Sequence, residues 1–206
     1  MSGFDVPRPL MADLIAQHGR WLADKAAVVE GNRRSTWKQF DAATNRVAHA
    51  LARLGLAPGS RIALLMSNSL EMVELLFGAG KAAVSAVPLN LSVSDSSVAA
   101  MIVDSGAMAV AASGEHCTRI DALMAAGQLP QTLMRLGIDA GGREWLDLRT
   151  LRDAQPATRP AIEVAPDTEC NIIYSSGTTG VPKGIVHSHQ CRLNWANDLA
   201  IALRYH

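Results

Sequence analysis

The sequence predicts an α/β fold: a layered parallel or mixed sheet flanked by helices. Three observations carry this. Short apolar runs at 61–66, 84–89 and 108–112 alternate with amphipathic stretches of helical period, which is the signature of βαβ units. Hydrophobic residues make up 49% of the 206-residue chain, enough for a sizeable core. A further apolar run at 171–174 leads into a Ser/Thr/Gly-rich loop and then another short apolar run, not a helix, so a hairpin is expected beside the parallel strands.

Taken in order, residues 9–18 suit a short first helix, and 26–30 and 33–36 suit two strands joined at Gly31-Asn32. Thr36 is a good cap for a helix to about Leu54, with Trp37, Phe40, Ala43, Val47 and Leu51 on one face and Gly55 as the stop. After the Pro58-Gly59 turn come a buried strand from Arg61 to Met66 and a helix capped by Ser67, Asn68 or Ser69 that directs Leu70, Val73, Leu76 and Phe77 inward. A strand at 84–89, a helix from Ser94 or Asp95 to about Asp104, a strand at 108–112 and a helix at 115–126 continue the alternation. Right-handed crossovers then place helices on both sheet faces. Leu133 to Ile138 suits a strand, and Leu146 to Arg152 a helical turn. Pro156, Pro160 and Pro166 make residues 153–168 an exposed connector. Leu193, Ala196, Leu199 and Leu203 suit a last helix with no evident stop signal.

Composition excludes several function classes. Lys+Arg 19 balances Asp+Glu 19, so no bulk field draws the chain to nucleic acid or anionic lipid. Aromatics are only 4%, which argues against base-stacking platforms. The longest charge-free apolar stretch, between Lys81 and Asp95, is too short to span a bilayer. No basic segment followed by an apolar one opens the chain. Cys117, Cys170 and Cys191 are an odd set without C-x-x-C spacing. They read as reduced, buried thiols, and the default location is cytoplasmic.

Residues 174–189 carry the chemistry. Ser175, Ser176, Thr178 and Thr179 surround Gly177 and Gly180, and Lys183 follows. Glycines let backbone N–H groups approach a ligand, and consecutive N–H groups form an anion-binding concavity. Hydroxyls and a lysine ammonium add donors, a set that suits a polyphosphate. The loop is not a Walker A motif. Pro182 precedes the lysine where glycine is needed, and Gly184 follows where Ser or Thr is needed. Pro182 also disfavours helix at Val181, and Gly184-Ile185-Val186 suggests a strand. A second candidate fails on context. Gly78-Ala79-Gly80-Lys81-Ala82-Ala83 fits G-x-G-x-x-A, but a dinucleotide loop must follow a strand and open a helix, and this run lies within a helical pattern. Its small residues read as close helix packing.

The stretch from Tyr174 to Gly184 resembles the phosphate-binding signature of the adenylate-forming superfamily at every defined position. That superfamily comprises acyl- and aryl-CoA synthetases, luciferases and peptide-synthetase adenylation domains. Asn45-Arg46, Leu54-Gly55, Pro58-Gly59, Arg61, Asn68 and Val87-Pro88-Leu89-Asn90 are also similar to its N-terminal segment. The resemblance implies part of the large N-terminal domain of these enzymes, divided into an α/β subdomain at 1–152, a connector at 153–168, and strand, phosphate loop and helix at 169–206. It implies ATP, Mg²⁺ and CoA as co-substrates and metal, and a small-molecule carboxylic acid, fatty or aryl, as substrate. Ser175, Ser176, Gly177, Thr178, Thr179, Gly180 and Lys183 would contact the β- and γ-phosphates, with Thr178 on the magnesium side.

The resemblance makes Lys183 and His189 the catalytic candidates; His189 matches a frequent family histidine and would face either the acyl pocket or the nucleotide, or else simply pack at the helix start. His187 is expected on the opposite side. Cys191 has no base beside it and is not a nucleophile candidate. The family's aromatic-Gly-x-Thr-Glu motif does not follow the loop, and Thr168-Glu169 is no substitute. The expectation is therefore an N-terminal piece of an AMP-forming acyl-CoA synthetase, inactive alone, whose bare apolar surface would favour self-association. The alternatives are an adenylation domain serving a carrier protein and a non-catalytic nucleotide-binding module.

Overall fold

Why a sheet forms here is clearest in its three central strands, which are apolar and buried on both faces. The computed structural model describes residues 9–175 and 182–204. Its main sheet contains β3 (Arg61–Leu65), β4 (Ser85–Pro88), β5 (Ala109–Ser113), β6 (Met134–Ile138), β7 (Leu146–Asp147), β8 (Glu169–Ser175) and β9 (Lys183–Ser188), in the spatial order β7-β6-β5-β3-β4-β8-β9. Every neighbouring pair is parallel except β8 and β9. A separate antiparallel pair joins β1 (Ala26–Glu30) and β2 (Arg33–Thr36).

The pleat sorts successive residues to opposite layers. Ala63, Leu65, Val87, Val110 and Ile172 join one core, with α4 (Asp95–Asp104) and α5 (Glu115–Ala125) over it. Ile62, Leu64, Ala86, Ala111 and Leu136 join the other, under α2 (Trp37–Arg53), α3 (Leu70–Lys81) and α6 (Leu148–Asp153). The remaining helices are α1 (Met11–Trp21) and α7 (His189–Ala202).

The expected caps are the ones used. Thr36 Oγ1 accepts from Gln39 N while Gln39 Oε1 accepts from Thr36 N, a reciprocal capping box. Ser69 and Ser94 cap α3 and α4, and Gly55 ends α2 in the left-handed region at φ 86°. Gly78 lies within α3, where a Cβ would run into Val47 of α2. Close helix packing, not dinucleotide binding, accounts for that run.

Three expectations change in detail. Residues 146–147 form a short parallel strand before the helical turn, because β6 offers them an edge. The last helix stops at Ala202, with Leu203 as its cap and Arg204 at φ 55°. The connector 153–168 is largely exposed, yet it is tied to the body: Asn45 Nδ2 donates to Ala157 O at 2.9 Å, His49 Nε2 lies 3.0 Å from Thr158 O, and Arg159 pairs with Asp13 at 2.6 Å. Buried charge is matched. Glu71 accepts from Arg33 (2.7 Å) and Arg149 (2.8 Å). Burial pulls its carboxyl upward, but those hydrogen bonds prevail and hold it at about 2.

Candidate functional site

β8 leaves the carboxyl edge of the parallel strands and β9 returns beside it, with Ser175 opposite Lys183 and Tyr174 opposite Gly184. Carboxyl edges of such sheets are where ligands commonly bind. A strand, not a helix, thus resumes at Lys183, as the Pro182 and Gly184 chemistry led one to expect. The expected ligands Ser176, Gly177, Thr178, Thr179 and Gly180 lie outside the described residues. Ser175 and Lys183 frame the loop from its two arms, and both are exposed.

The launching strand is fixed at both ends. Arg61 grips Glu169 through two hydrogen bonds of 2.8 and 2.9 Å and donates to Ser105 O at 2.9 Å. That pair holds the Glu169 carboxyl below its ordinary range. Glu169 is therefore committed to the scaffold, in keeping with its rejection as an adenine-motif residue. At the other end Tyr174 Oη donates to Asp104 Oδ2 at 2.6 Å.

His189 opens α7 behind the Ser188 cap, with its N–H donating to Thr168 O at 3.0 Å. The residue is only 2% exposed, and Nε2 is buried without a hydrogen-bond partner among the described residues. Burial pushes its pKa down, favouring the neutral imidazole. It lies against Gly80, where a Cβ would stand 3.4 Å from His189 Cε1. It lines an apolar cavity of about 340 Å³ together with Phe77, Asn171, Ile173, Arg192 and Trp195.

His187 does not face away from this cavity. It is paired with Asn171, a lining residue, and its Nδ1 is 3.5 Å from Arg192 Nη2. Cross-strand partners share a face, and the expected opposition fails because the chain passes from strand to helix between His187 and His189.

The cysteines divide three ways: Cys117 is buried, Cys170 half-buried and Cys191 exposed, all free thiols. Burial pushes Cys170 up to about 11, so it is no ready nucleophile. Among the described residues no group of three or more His, Cys, Asp or Glu side chains is placed to hold a metal ion. No described helix is long and apolar enough to cross a membrane.

A family model described as AMP-binding enzyme matches residues 16–203. The chain belongs to this adenylate-forming family. The long-chain-fatty-acid–CoA ligase FadD13 of Mycobacterium tuberculosis is 35% identical over 178 residues, which is 83% of this chain and 34% of the relative. The fatty acid–[acyl-carrier-protein] ligase ScoC of Streptomyces coeruleorubidus is 36% identical over 84% of this chain and 32% of its own length. The chain thus spans about a third of these relatives. Among solved structures, the anthranilate CoA ligase AuaEII in complex with anthranoyl-AMP superposes with a TM-score of 0.83 at 30% identity, covering 92% of this chain and 37% of that one. The fold is that of the N-terminal domain of adenylate-forming enzymes.

The sequence did not reveal Tyr174 as a tether or Arg61 as the partner of Glu169. Tyr174 and Arg61 were visible only as pattern positions, since both contacts join residues at least 70 apart in the chain.

Proposed function

We propose that this chain is the ATP-phosphate-binding portion of an AMP-forming acid–thiol ligase. The reaction joins a carboxylate to the α-phosphorus of ATP, releasing pyrophosphate. The CoA thiol then displaces AMP to give a thioester. The supporting observation is the antiparallel β8–β9 pair, in which Ser175 and Lys183 stand opposite each other at the sheet's carboxyl edge and flank the glycine- and hydroxyl-rich sequence 176–181.

In this reading Ser175, Ser176, Thr178 and Thr179 donate hydroxyl hydrogen bonds to the β- and γ-phosphates. Gly177 and Gly180 let backbone N–H groups do the same, and Lys183 offsets phosphate charge as pyrophosphate departs. Thr178 would give magnesium one hydroxyl oxygen, the phosphates supplying others, which fits a cation that is usually bound through substrate phosphates. When bound, that ion neutralises charge on the phosphate oxygens. His189, neutral and facing an apolar cavity, is assigned to the acid side and not to the nucleotide.

A carrier-protein thiol in place of CoA is the second reading, favoured by the similarity to an acyl-carrier-protein ligase. The test is acid-dependent exchange of pyrophosphate into ATP by the gene's whole product, over a panel of aryl and fatty acids, with residues 1–206 alone as control. Exchange with some acid by the whole product and none by the control is expected. No exchange with any acid would remove the proposal. Comparing thioester formation on CoA with that on a carrier protein separates the two readings.

A further inference from the structure

Gly184 is not among the described glycines in the left-handed region. Backbone freedom therefore does not explain it; space does. A Cβ at Gly184 would stand 3.2 Å from Cζ and 3.3 Å from Cε1 of Tyr174, and 3.0 Å from Ile172 Cγ2. The tyrosine ring lies across its cross-strand glycine, an arrangement that shields a glycine in an outer strand. Beyond the ring, the hydroxyl donates to Asp104 Oδ2 at 2.6 Å and sits 3.2 Å from Met101 O, at the C-terminal end of α4. That end is itself fixed, because Arg61 donates to Ser105 O while gripping Glu169 at the start of β8. β9 is the outermost strand, and its Ile185 and Val186 are exposed. Tyr174 therefore runs as a strut from the body of the domain to the backbone beside Lys183.

We infer that Tyr174 is a positioning residue: its ring seats Gly184, its hydroxyl locks the ring to α4, and together they set the direction in which Lys183 leaves the hairpin. The inference rests on the phosphate-binding reading only for its functional consequence. The seating of the strand is a separate, measurable matter.

The experiment uses the 206-residue chain and its Tyr174→Phe, Asp104→Ala and double variants, with inorganic tripolyphosphate as probe. Each single substitution should weaken tripolyphosphate binding about three- to tenfold, and the double should be no worse than either, because both break one hydrogen bond. Amide hydrogen exchange should quicken at residues 183–185 and stay unchanged in β5. Unchanged exchange at 183–185, or a rise spread evenly over the sheet, would overturn the strut. Additive losses in the double variant would overturn the coupling through Asp104. If the parent chain itself does not bind tripolyphosphate, the phosphate reading falls while the exchange comparison still decides whether Tyr174 seats the strand.

Discussion

Residues 61–138 and residues 169–204 belong to one sheet but are built by different means. In the first stretch β3, β4 and β5 are covered on both faces, and Leu64, Leu65, Val87 and Val110 are almost wholly withdrawn from solvent. In the second, β9 is an edge strand with Ile185 and Val186 exposed, Trp195 and Ile201 of α7 are exposed as well, and directional contacts join the β8–β9 ladder in setting position: Arg61–Glu169, Tyr174–Asp104 and the Ser188 cap. Hydrophobic burial is strong but non-directional, so it fixes a layer. Hydrogen bonds are weaker but directional, so they aim a loop. The proposed phosphate contacts lie where aiming matters more than burial.

The contrast can be broken or sharpened by substitution. Leu75→Ala, in a fully buried site of α3, should cost about 2–5 kcal/mol in urea unfolding, from lost burial plus a cavity. A loss below about 1 kcal/mol would show that the body is less tightly packed than its burial implies. Lys183→Ala should leave the unfolding midpoint unchanged while weakening tripolyphosphate binding about tenfold or more by calorimetry, since an exposed ammonium contributes charge and not packing.

Acid should act on the body through Glu71. Its folded pKa lies below the ordinary value, so its contribution is full above about 4.5 and is lost as pH falls toward about 2. Urea midpoints measured across that range should drop, and Glu71→Gln should flatten the drop. An equal slope in both proteins would assign the acid sensitivity elsewhere. The smallest effect is expected at the edge: Val186→Thr, half exposed on β9, should change stability by no more than about 0.5 kcal/mol.

Much of the fold was legible because its signals are local. Thr36, Ser69 and Ser94 cap within three residues of their own positions, and Gly55 and Gly78 act through backbone and contact geometry that helical period reveals. The order of strands was not legible, because pairing β4 with β8 joins residues on either side of α4, α5, α6 and the connector. The site was half legible. Ser175 and Lys183 lie opposite each other on β8 and β9, and their contact with phosphate is a proposal, while the burial of His189 and the face taken by His187 depended on how α7 settles against α3, which no short pattern encodes. The exposure of Cys191 was missed for the same reason: a thiol's default is burial, and the orientation of an edge helix overrides it.

The ties from Asn45 and His49 to residues 157 and 158 give the long helix α2 a second office. They fix the point from which the chain sets out toward β8, 18 and 17 residues before Ser175. An altered side chain on that helix, over a hundred positions upstream of the loop, would shift the departure point and carry the shift forward. On the proposed phosphate-binding reading, differences in tripolyphosphate affinity among otherwise matched versions of this domain should therefore be sought at Asn45 and His49 as well as at residues 175–183.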